Sequence, residues 1–257
     1  MQKKLLFFLL ISSVTWAQVA NQAFEKGEWL RYRISYSNFF NAGNATLQIK
    51  ETTYNGKEVY NVIGKGKTTG VISWFFKVKD HYESFFDKDH LLPYRFIRDI
   101  DEGGYTKNKE ILFDHASHKA LVKDFDKNTQ NSYDFEQGVQ DMISTLYYLR
   151  NMDISGLKNG DEISLKLFFD EKNYTFKLKF LGRETINTKF GKVATAKFRP
   201  FVQSGRVFKE EESLTVWVSD DKNKIPLLIK ASLAVGSLRA DLDAYKGLAN
   251  SFPIIFD

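Results

Sequence analysis

Residues 163–180 have the sequence ISLKLFFDEKNYTFKLKF, in which two runs of alternating apolar and polar side chains flank a polar break at 170–173. Successive side chains of a β-strand point to opposite faces of the sheet, so each run predicts a strand with one buried face. The break is short enough for a hairpin turn, which makes the two strands antiparallel neighbours. This stretch therefore indicates an antiparallel β fold.

The same period of two recurs along the chain. Residues 30–36 place Leu, Tyr, Ile and Tyr on one face and Arg, Arg and Ser on the other, and residues 45–50 repeat the pattern. Asn55-Gly56 is a strong hairpin signal, because both residue types tolerate positive φ. We predict an all-β protein, mainly an antiparallel meander, whose curved sheet forms a half-barrel, a barrel or a sandwich.

Two segments break the β pattern. Residues 139–150 carry apolar side chains at helical spacing, which predicts an amphipathic helix packed at or across the concave side of the sheet. Residues 70–76 are apolar and aromatic, and they predict either a short helix or a wide loop. The expected fold class is therefore all-β with one or two short helices.

The N-terminus has the pattern of a secretory signal peptide. Two lysines and a short apolar run, Leu5–Ile11, precede Thr15-Trp16-Ala17, which places small residues at the two positions that a signal peptidase inspects. We predict cleavage before Gln18, with residues 1–17 as signal peptide and residues 18–257 as a single antiparallel β domain. The apolar run is too short to cross a bilayer as a helix.

Composition narrows the class of protein further. The chain has no cysteine, so a lipid-modified cysteine, disulfides and thiolate metal sites are excluded, and the protein is not a lipoprotein. Its 37 basic and 32 acidic residues give a formal charge of +5, a mixed surface for which nucleic acid is not an expected partner. No segment after residue 17 is apolar enough for a transmembrane helix. Together with the signal peptide, this composition predicts an exported protein of the cell envelope.

Aromatic residues are unusually abundant, with 23 Phe, 12 Tyr and 4 Trp. Such a supply either fills a thick core or lines a cavity for a lipid or another apolar ligand, because curved sheets readily enclose one. If a cavity exists, we expect Tyr147, Phe176 and Trp217 to be part of its wall.

Two pairs of residues are candidates for acid, base or nucleophilic catalysis. Asp141 and Ser144 lie one turn apart near the start of the predicted helix, which permits a serine hydrolase. The chain lacks a Gly-x-Ser-x-Gly elbow, and the alternative is that Asp141 caps the helix while Arg150 pairs with a carboxylate of the sheet. Asp80 and His81 are neighbours in a predicted strand, so their side chains are expected to diverge. We predict no catalytic site, with the hydrolase as an alternative.

Asp114, His115 and His118 form a histidine cluster in which His115 and His118 are three residues apart, with Asp114 as a third possible metal ligand. However, the flanking runs 111–113 and 120–122 predict two strands of a hairpin, which makes this segment an exposed turn. Phosphate-binding loops, dinucleotide motifs and zinc-protease motifs are missing from the sequence. We expect no metal and no other cofactor.

A set of local patterns along the chain is shared with a known family. The firmest is QDMISTLYYLR at residues 140–150; the others are Phe24–Tyr32, Ala42–Ala45, Val78–Ser84, Leu92–Phe96, Gly182–Glu184, Phe190-Gly191 and Val216–Asp221 with Ile225-Pro226. These patterns resemble the exported bacterial domain of unknown function 3108 family over nearly the whole chain after residue 17. The resemblance implies a periplasmic, mainly antiparallel β protein without an established activity.

Members of that family sometimes carry an exonuclease label, but this sequence has no metal-carboxylate set for two-metal chemistry, and we do not carry the label over. The expected architecture is similar to envelope carriers of the lipoprotein-chaperone type, whose half-barrels hold acyl chains; that likeness concerns the fold alone. We predict a non-enzymatic periplasmic protein that binds an apolar ligand or an envelope protein. An integral outer-membrane β-barrel is a further alternative, since alternation permits an apolar face toward lipid.

Overall fold

The computed structural model describes residues 21–37, 40–201, 213–233 and 236–255; the predicted signal peptide lies outside them. Tight turns join most of the strands in this part of the chain, and two short helices interrupt them. The strands are β1 (Trp29–Tyr36), β2 (Phe40–Tyr54), β3 (Lys57–Thr68), β4 (Val78–Asp87), β5 (Pro93–Glu102), β6 (Tyr105–Asp114), β7 (Lys119–Asp124), β8 (Thr129–Asp134), β9 (Glu162–Phe169), β10 (Lys172–Thr188), β11 (Gly191–Pro200), β12 (Leu214–Ser219), β13 (Pro226–Ser232), β14 (Ser237–Lys246) and β15 (Ile254–Ile255). The helices are α1 (Ile72–Phe75) and α2 (Met142–Asn151).

All these strands belong to one sheet with the order β8-β7-β6-β5-β4-β3-β2-β1-β14-β13-β12-β11-β10-β9, and β15 pairs with β11. Their ladders are antiparallel, and β1 joins the first half of the sheet to the second by pairing with both β2 and β14. The predicted all-β class, an antiparallel meander with one or two short helices, is confirmed.

The two end strands of the sheet, β8 and β9, are joined by no ladder. Gln140, in the connection between β8 and α2, forms a parallel bridge with Leu167 of β9. Its amide donates to the carbonyl of Lys166, and its carbonyl accepts from the amide of Phe168, both at 2.9 Å. Phe168 also packs edge-on against Phe113 of β6, with ring centroids 5.9 Å apart. The curled sheet is therefore an open, barrel-like layer whose ends the Gln140 segment links.

The alternation predicted for β1 sorts its side chains between the two faces of the sheet. Leu30 and Tyr32 are buried, whereas Arg31 and Arg33 are exposed. On the outer face, Arg31 Nη2 lies 2.6 Å from Asp243 Oδ2 of β14. The interior is accordingly apolar and the exterior charged along this strand, as the pattern indicates.

The helix predicted at residues 139–150 begins later than expected, at Met142. Asp141 has an extended backbone conformation and is the N-cap, while Gln140 is held in the bridge to β9. The segment predicted as a short helix or wide loop contains the single turn α1, in which no side chain is buried. At the hairpin between β2 and β3, Asn55 and Gly56 adopt φ values of 49° and 77°, as their residue types predict.

Candidate functional site

Helix α2 lies on the inner side of the sheet and is fixed at its N-terminus by a capping box. Asp141 Oδ1 accepts hydrogen bonds from the amides of Ile143 at 2.8 Å and Ser144 at 2.7 Å, and the amide of Asp141 donates to Ser144 Oγ at 2.9 Å. From β4, Ser84 Oγ donates to Asp141 Oδ2 at 2.5 Å. Burial raises the pKa of Asp141 to about 6, although these donors act to lower it. The cap thus attaches the start of the helix to β4.

The other end of α2 is held by the buried guanidinium of Arg150. Both of its Nη atoms donate to the carboxylate of Glu28, and its Nε donates to the carbonyl of Asn223 at 2.9 Å. The guanidinium carbon also lies over the rings of Phe24 and Tyr147, 5.5 and 5.2 Å from their centroids. One side of the helix is therefore fixed to the N-terminal segment and to the turn between β12 and β13.

A cavity of about 800 Å³ occupies the interior of the sheet between α2 and α1. Inward-facing side chains of β1 to β4 and of β12 to β14 form its wall, together with residues from both helices. The wall is almost entirely apolar and includes Tyr32, Leu47, Leu146, Val216, Ile229 and Ala240. Its volume lies within the range of small-molecule sites, which is about 300–1,000 Å³. We regard this larger cavity as the candidate functional site.

Small residues on two neighbouring strands leave this space open. The inward positions of β3 that follow Val62 are Gly64 and Gly66, and both line the larger cavity. A Cβ atom at Gly66 would meet only the side chain of Asp80, at 3.7 Å, whereas one at Gly43 of β2 would overlap the carbonyl oxygen of Lys67. Gly66 therefore contributes open volume, and Gly43 permits the close approach of β2 and β3.

Asp80 of β4 places a carboxylate in this apolar wall. Its Oδ1 atom is buried and has no hydrogen-bond partner among the described residues. Burial raises the pKa of Asp80 to about 6; Glu102 adds to this effect, and Arg98 opposes it. The Arg98 guanidinium is itself engaged across the interior, where Nη1 donates to Asp170 Oδ1 at 2.9 Å. The backbone amide of Asp101 also acts on this carboxyl and lowers its pKa. Among the described residues, Asp80 Oδ1 remains a buried acceptor without a hydrogen bond.

A smaller cavity of about 210 Å³ lies on the other side of α2, against β9 to β12. It shares Leu146, Val216 and Pro226 with the larger cavity, so the Leu146 side chain borders both. Phe176, predicted as a wall residue, lines this smaller cavity.

The other two predicted wall residues, Tyr147 and Trp217, lie elsewhere. Tyr147 is fully buried on the core side of α2, with its ring 4.8 Å from that of Phe24. Trp217 lies on the outer face of β12, where its Nε1 donates to Glu184 and lysines cover its ring. The residues that line the cavities are their sequence neighbours Leu146 and Val216. Trp217 is one residue out of phase with the inward face of β12, whereas Tyr147 lies on the side of α2 that packs against the core.

The structure places the hydrolase candidates in two separate arrangements. Asp141 and Ser144 come together, but in the capping box, and both are fully buried. Asp80 faces the larger cavity, while His81 points outward with its Nε2 3.4 Å from Glu83 Oε2. In neither pair do the reactive group, whether nucleophile or base, and its activating partner both face a cavity.

The predicted metal candidates lie in the turn between β6 and β7, as their flanking runs indicate. The Asp114 carboxylate accepts from the amides of Ala116 and Ser117 and so caps this turn. His115 Nε2 lies 2.7 Å from the carbonyl of Pro93, and the His118 ring packs against Phe135. Within the described ranges, no three His, Asp or Glu side chains are grouped so that they could hold a metal ion.

Together, the curled antiparallel sheet, the inner helix and the apolar interior define a barrel-like β protein. A beta-barrel-like protein of domain of unknown function DUF1849 from Brucella abortus has a similar structure, with a TM-score of 0.58 over 87% of this chain and 98% of that one, at 12% identity. The family model of the proteins of unknown function DUF3108 matches residues 31–243. The chain belongs to this family, and the resemblance of its local patterns is confirmed.

Two further solved structures cover much of the chain at lower similarity. One is described as an exported protein with a YmcC-like fold from Bacteroides fragilis, with 10% identity, a TM-score of 0.33 and coverage of 87% of this chain and 97% of that one. The other is described as a lipoprotein from Parabacteroides distasonis, with 13% identity, a TM-score of 0.35 and coverage of 90% and 99%. No curated protein matches the chain. Neither of the two described helices is long and apolar enough to span a membrane.

Proposed function

We propose that this protein is an exported, non-enzymatic carrier of the cell envelope that binds an amphiphile, with the apolar part of the ligand in the larger cavity. The observation that supports the proposal most strongly is the cavity of about 800 Å³ with an almost wholly apolar wall. Water forms few hydrogen bonds in such a space, whereas an apolar chain that moves into it from water is stabilised by the hydrophobic effect. Each buried methylene contributes about 0.8 kcal/mol, so affinity is expected to rise with chain length until the cavity is full.

The polar end of the ligand is proposed to be a hydrogen-bond donor, such as a hydroxyl or an ammonium group. Asp80 Oδ1 is a buried acceptor without a partner among the described residues, and Asp80 lines the same cavity. Leaving a buried polar atom unpaired costs about 1–3 kcal/mol, which a donor on the ligand would recover. A carboxylate or phosphate ligand would instead meet a like charge there.

The surroundings of the catalytic candidates support the non-enzymatic proposal. Ser144 is fully buried and its Oγ accepts a hydrogen bond from the amide of Asp141, so a substrate has no access to it. Export is supported by the predicted signal peptide, residues 1–17. The outer-membrane alternative requires an apolar outer band, whereas β1 and β14 carry ion pairs such as Arg31–Asp243 on their outer face.

Ligand binding is tested with the neutral apolar dye N-phenyl-1-naphthylamine and a pair of matched variants. Gly66→Trp fills the larger cavity from a position where a Cβ atom has only ordinary contacts, with Asp80 at 3.7 Å. Gly156→Trp is the control, because its Cβ would meet nothing within 4 Å and it lies outside both cavities. We expect saturable dye fluorescence with wild type and Gly156→Trp, and at least about tenfold weaker binding with Gly66→Trp.

Circular dichroism and thermal unfolding would show that Gly66→Trp remains folded. Organic extraction and mass spectrometry of protein isolated from its own cells, without detergent, would identify the bound amphiphile. Equal dye binding by Gly66→Trp and Gly156→Trp would exclude the larger cavity as the binding site, and repeated isolation without any bound amphiphile would contradict the carrier function.

A further inference from the structure

Exposed apolar side chains lie beside the larger cavity, in and around α1. Trp74 and Phe75 of α1 are 82% and 83% exposed, and Phe76, which follows them, is half exposed. Phe75 and Phe76 also line the cavity. The full set, here named the aromatic rim, consists of Phe40, Val71, Trp74, Phe75, Phe76 and Tyr105.

The register of the sheet brings the aromatic rim together at one end of the barrel-like fold. Phe40 begins β2 opposite Tyr36, and the start of β2 pairs with the end of β3, next to the α1 segment. The β5–β6 turn lies beside it, since the amide of Gly103 donates to the carbonyl of Lys77 at 2.8 Å. Three neighbouring connections of the chain therefore expose apolar side chains on the same edge.

The α1 segment does not serve the core of the protein. None of the four residues of α1 is buried, although the segment joins two strands that are neighbours in the sheet. Contiguous exposed apolar surface of this kind marks a site of interaction with a partner or a membrane. A Trp and two Phe side chains in one short segment match the residues that penetrate the boundary between lipid headgroups and acyl chains.

Charge identifies which of these partners fits. Lys65, Lys67, Lys77 and Lys79 flank the α1 segment, all exposed, and Lys67 lies opposite Lys79 in the β3–β4 ladder. None of the four forms an ion pair with a carboxylate in the part of the chain that the structure describes. On the acidic side, Asp101 and Glu102 lie opposite Lys79 and Val78 in the β4–β5 ladder, and Asp101 also caps the β5–β6 turn by accepting from the amide of Gly104. The four lysines outnumber these two carboxylates. Lysine is depleted at the centre of protein interfaces, whereas lysines beside Trp and Phe suit an anionic lipid surface.

We propose that the aromatic rim docks onto the surface of an anionic lipid bilayer. Trp74 and Phe75 would enter the interface, the four lysines would contact phosphate groups, and the mouth of the larger cavity would face the bilayer. This inference goes beyond the carrier function and does not depend on it, since it rests on exposed surface and charge. The protein remains outside the hydrocarbon core, because α1 is a single turn.

The test uses the whole mature protein and sedimentation with vesicles of phosphatidylcholine alone or of a two-to-one mixture with phosphatidylglycerol. We expect binding to the anionic vesicles, weakened by salt, and a blue shift of tryptophan emission. The double variant Trp74→Ser/Phe75→Ser should bind at least about tenfold more weakly. Its control is Ile255→Ser, an exposed apolar residue paired with Lys192 at the start of β11, away from the aromatic rim.

Charge is tested separately with Lys67→Glu/Lys79→Glu, which should also weaken binding at least about tenfold. Lys222→Glu, in the exposed turn between β12 and β13, is its control. Wild-type protein that ignores anionic vesicles, or a rim variant that binds as wild type does, would overturn the proposal. A further outcome would also overturn it: wild-type protein forms dimers without lipid, and Trp74→Ser/Phe75→Ser dissociates them. The aromatic rim would then join two copies of the chain. Vesicle binding is also measured for Gly66→Trp. This measurement distinguishes failure of the carrier function from failure of docking onto the bilayer.

Discussion

Arg150 in helix α2 and Glu28, directly before β1, form a bidentate ion pair, with Nη1–Oε1 and Nη2–Oε2 distances of 2.6 and 2.7 Å. Both side chains are almost completely buried, and they are 122 positions apart in the chain. Nη2 also donates to the carbonyl of Ala23, so the guanidinium joins the N-terminal segment to the helix. This contact fixes the C-terminal end of α2, where Arg150 also borders the smaller cavity.

Loss of Arg150 is predicted to destabilise the fold strongly. Arg150→Met leaves the Glu28 carboxylate buried without its partner, and breaking a buried pair in this way typically costs about 3–5 kcal/mol. Urea unfolding would measure the change. Arg31→Met is the matched control, since it breaks the exposed pair with Asp243 and should cost only about 0–1 kcal/mol. If the two variants lost similar stability, the buried pair would not be what fixes the helix.

The sequence predicted the fold because one periodicity dominates it. Alternation within β1, β9 and β10 identified strands, and Asn55-Gly56 located a hairpin from its residue types alone. The closing contacts were not predictable in the same way. Gln140 bridges to Leu167 in a distant segment, for which a single sequence contains no periodic signal. A carboxylate partner for Arg150 was an alternative in the sequence analysis, but the sequence did not identify it as Glu28.

The candidate site was predicted less well than the fold, because a shift of one residue moves a side chain to the opposite face of a strand and turns it by about 100° around a helix. Tyr147 and Trp217 were chosen for their aromatic character, yet Leu146 and Val216 are the residues that line the cavities. Asp80 was assigned to a possible catalytic pair, although its alternation with His81 correctly indicated that the two diverge. Whether the inward face encloses open volume depends on packing, which the pattern does not specify.

Gly43→Ala is predicted to be far more harmful than Gly66→Ala, although both glycines lie on neighbouring strands of the larger cavity. A Cβ atom at position 43 would overlap the carbonyl oxygen of Lys67, which is backbone and has to move. At position 66 the added methyl group makes contacts of 3.7 Å with Asp80 alone. Thermal unfolding should show a loss of about 1–3 kcal/mol for Gly43→Ala and less than about 1 kcal/mol for Gly66→Ala. Equal losses would argue against the close β2–β3 approach seen here.

Ser144 is predicted to resist serine-directed labelling. Its Oγ accepts from the amide of Asp141 in the buried capping box, so it is neither activated nor accessible. A fluorophosphonate probe on folded protein, followed by peptide mass spectrometry, should find no adduct at Ser144. Ser144→Ala should instead lower stability by about 0.5–2 kcal/mol, as expected for loss of a helix cap interaction. A stoichiometric adduct that Ser144→Ala abolishes would support the hydrolase alternative.

Export is predicted to yield a mature chain that begins at Gln18. Osmotic shock followed by a high-salt wash, which detaches protein bound only through surface charge, should release it without detergent. N-terminal peptide mass spectrometry of the released protein would locate the cleavage site. Retention in the outer-membrane fraction until detergent is added would favour the integral barrel instead.

Asp80 is predicted to lower stability while it supports binding. Its pKa is raised from 3.8 to about 6, chiefly by burial, so the folded protein holds a proton that the unfolded chain releases between these values. Stability attributable to this carboxyl is therefore highest at low pH and falls as pH rises toward 6. A shift of this size corresponds to about 3 kcal/mol, and partial exposure of the side chain reduces the expected effect to about 1 kcal/mol. The groups that act on Asp80, which are Glu102, Arg98 and Asp101, are the same in wild type and in an Asp80 variant.

Asp80→Asn should accordingly match wild type in stability near pH 4 and exceed it by about 1 kcal/mol at pH 7, as measured by urea unfolding at each pH. The contribution of Asp141 is present in both proteins and cancels in the comparison. In displacement of N-phenyl-1-naphthylamine, Asp80→Asn should bind dodecylamine about tenfold more weakly than wild type, because the amide lacks the charge that attracts an ammonium group. Dodecanoate should show no such loss, since it gains nothing from a carboxylate in the wall. If Asp80→Asn is more stable at neutral pH but binds dodecylamine as well as wild type does, the raised pKa of Asp80 has no part in ligand recognition. Asp80 would then not belong to the proposed site.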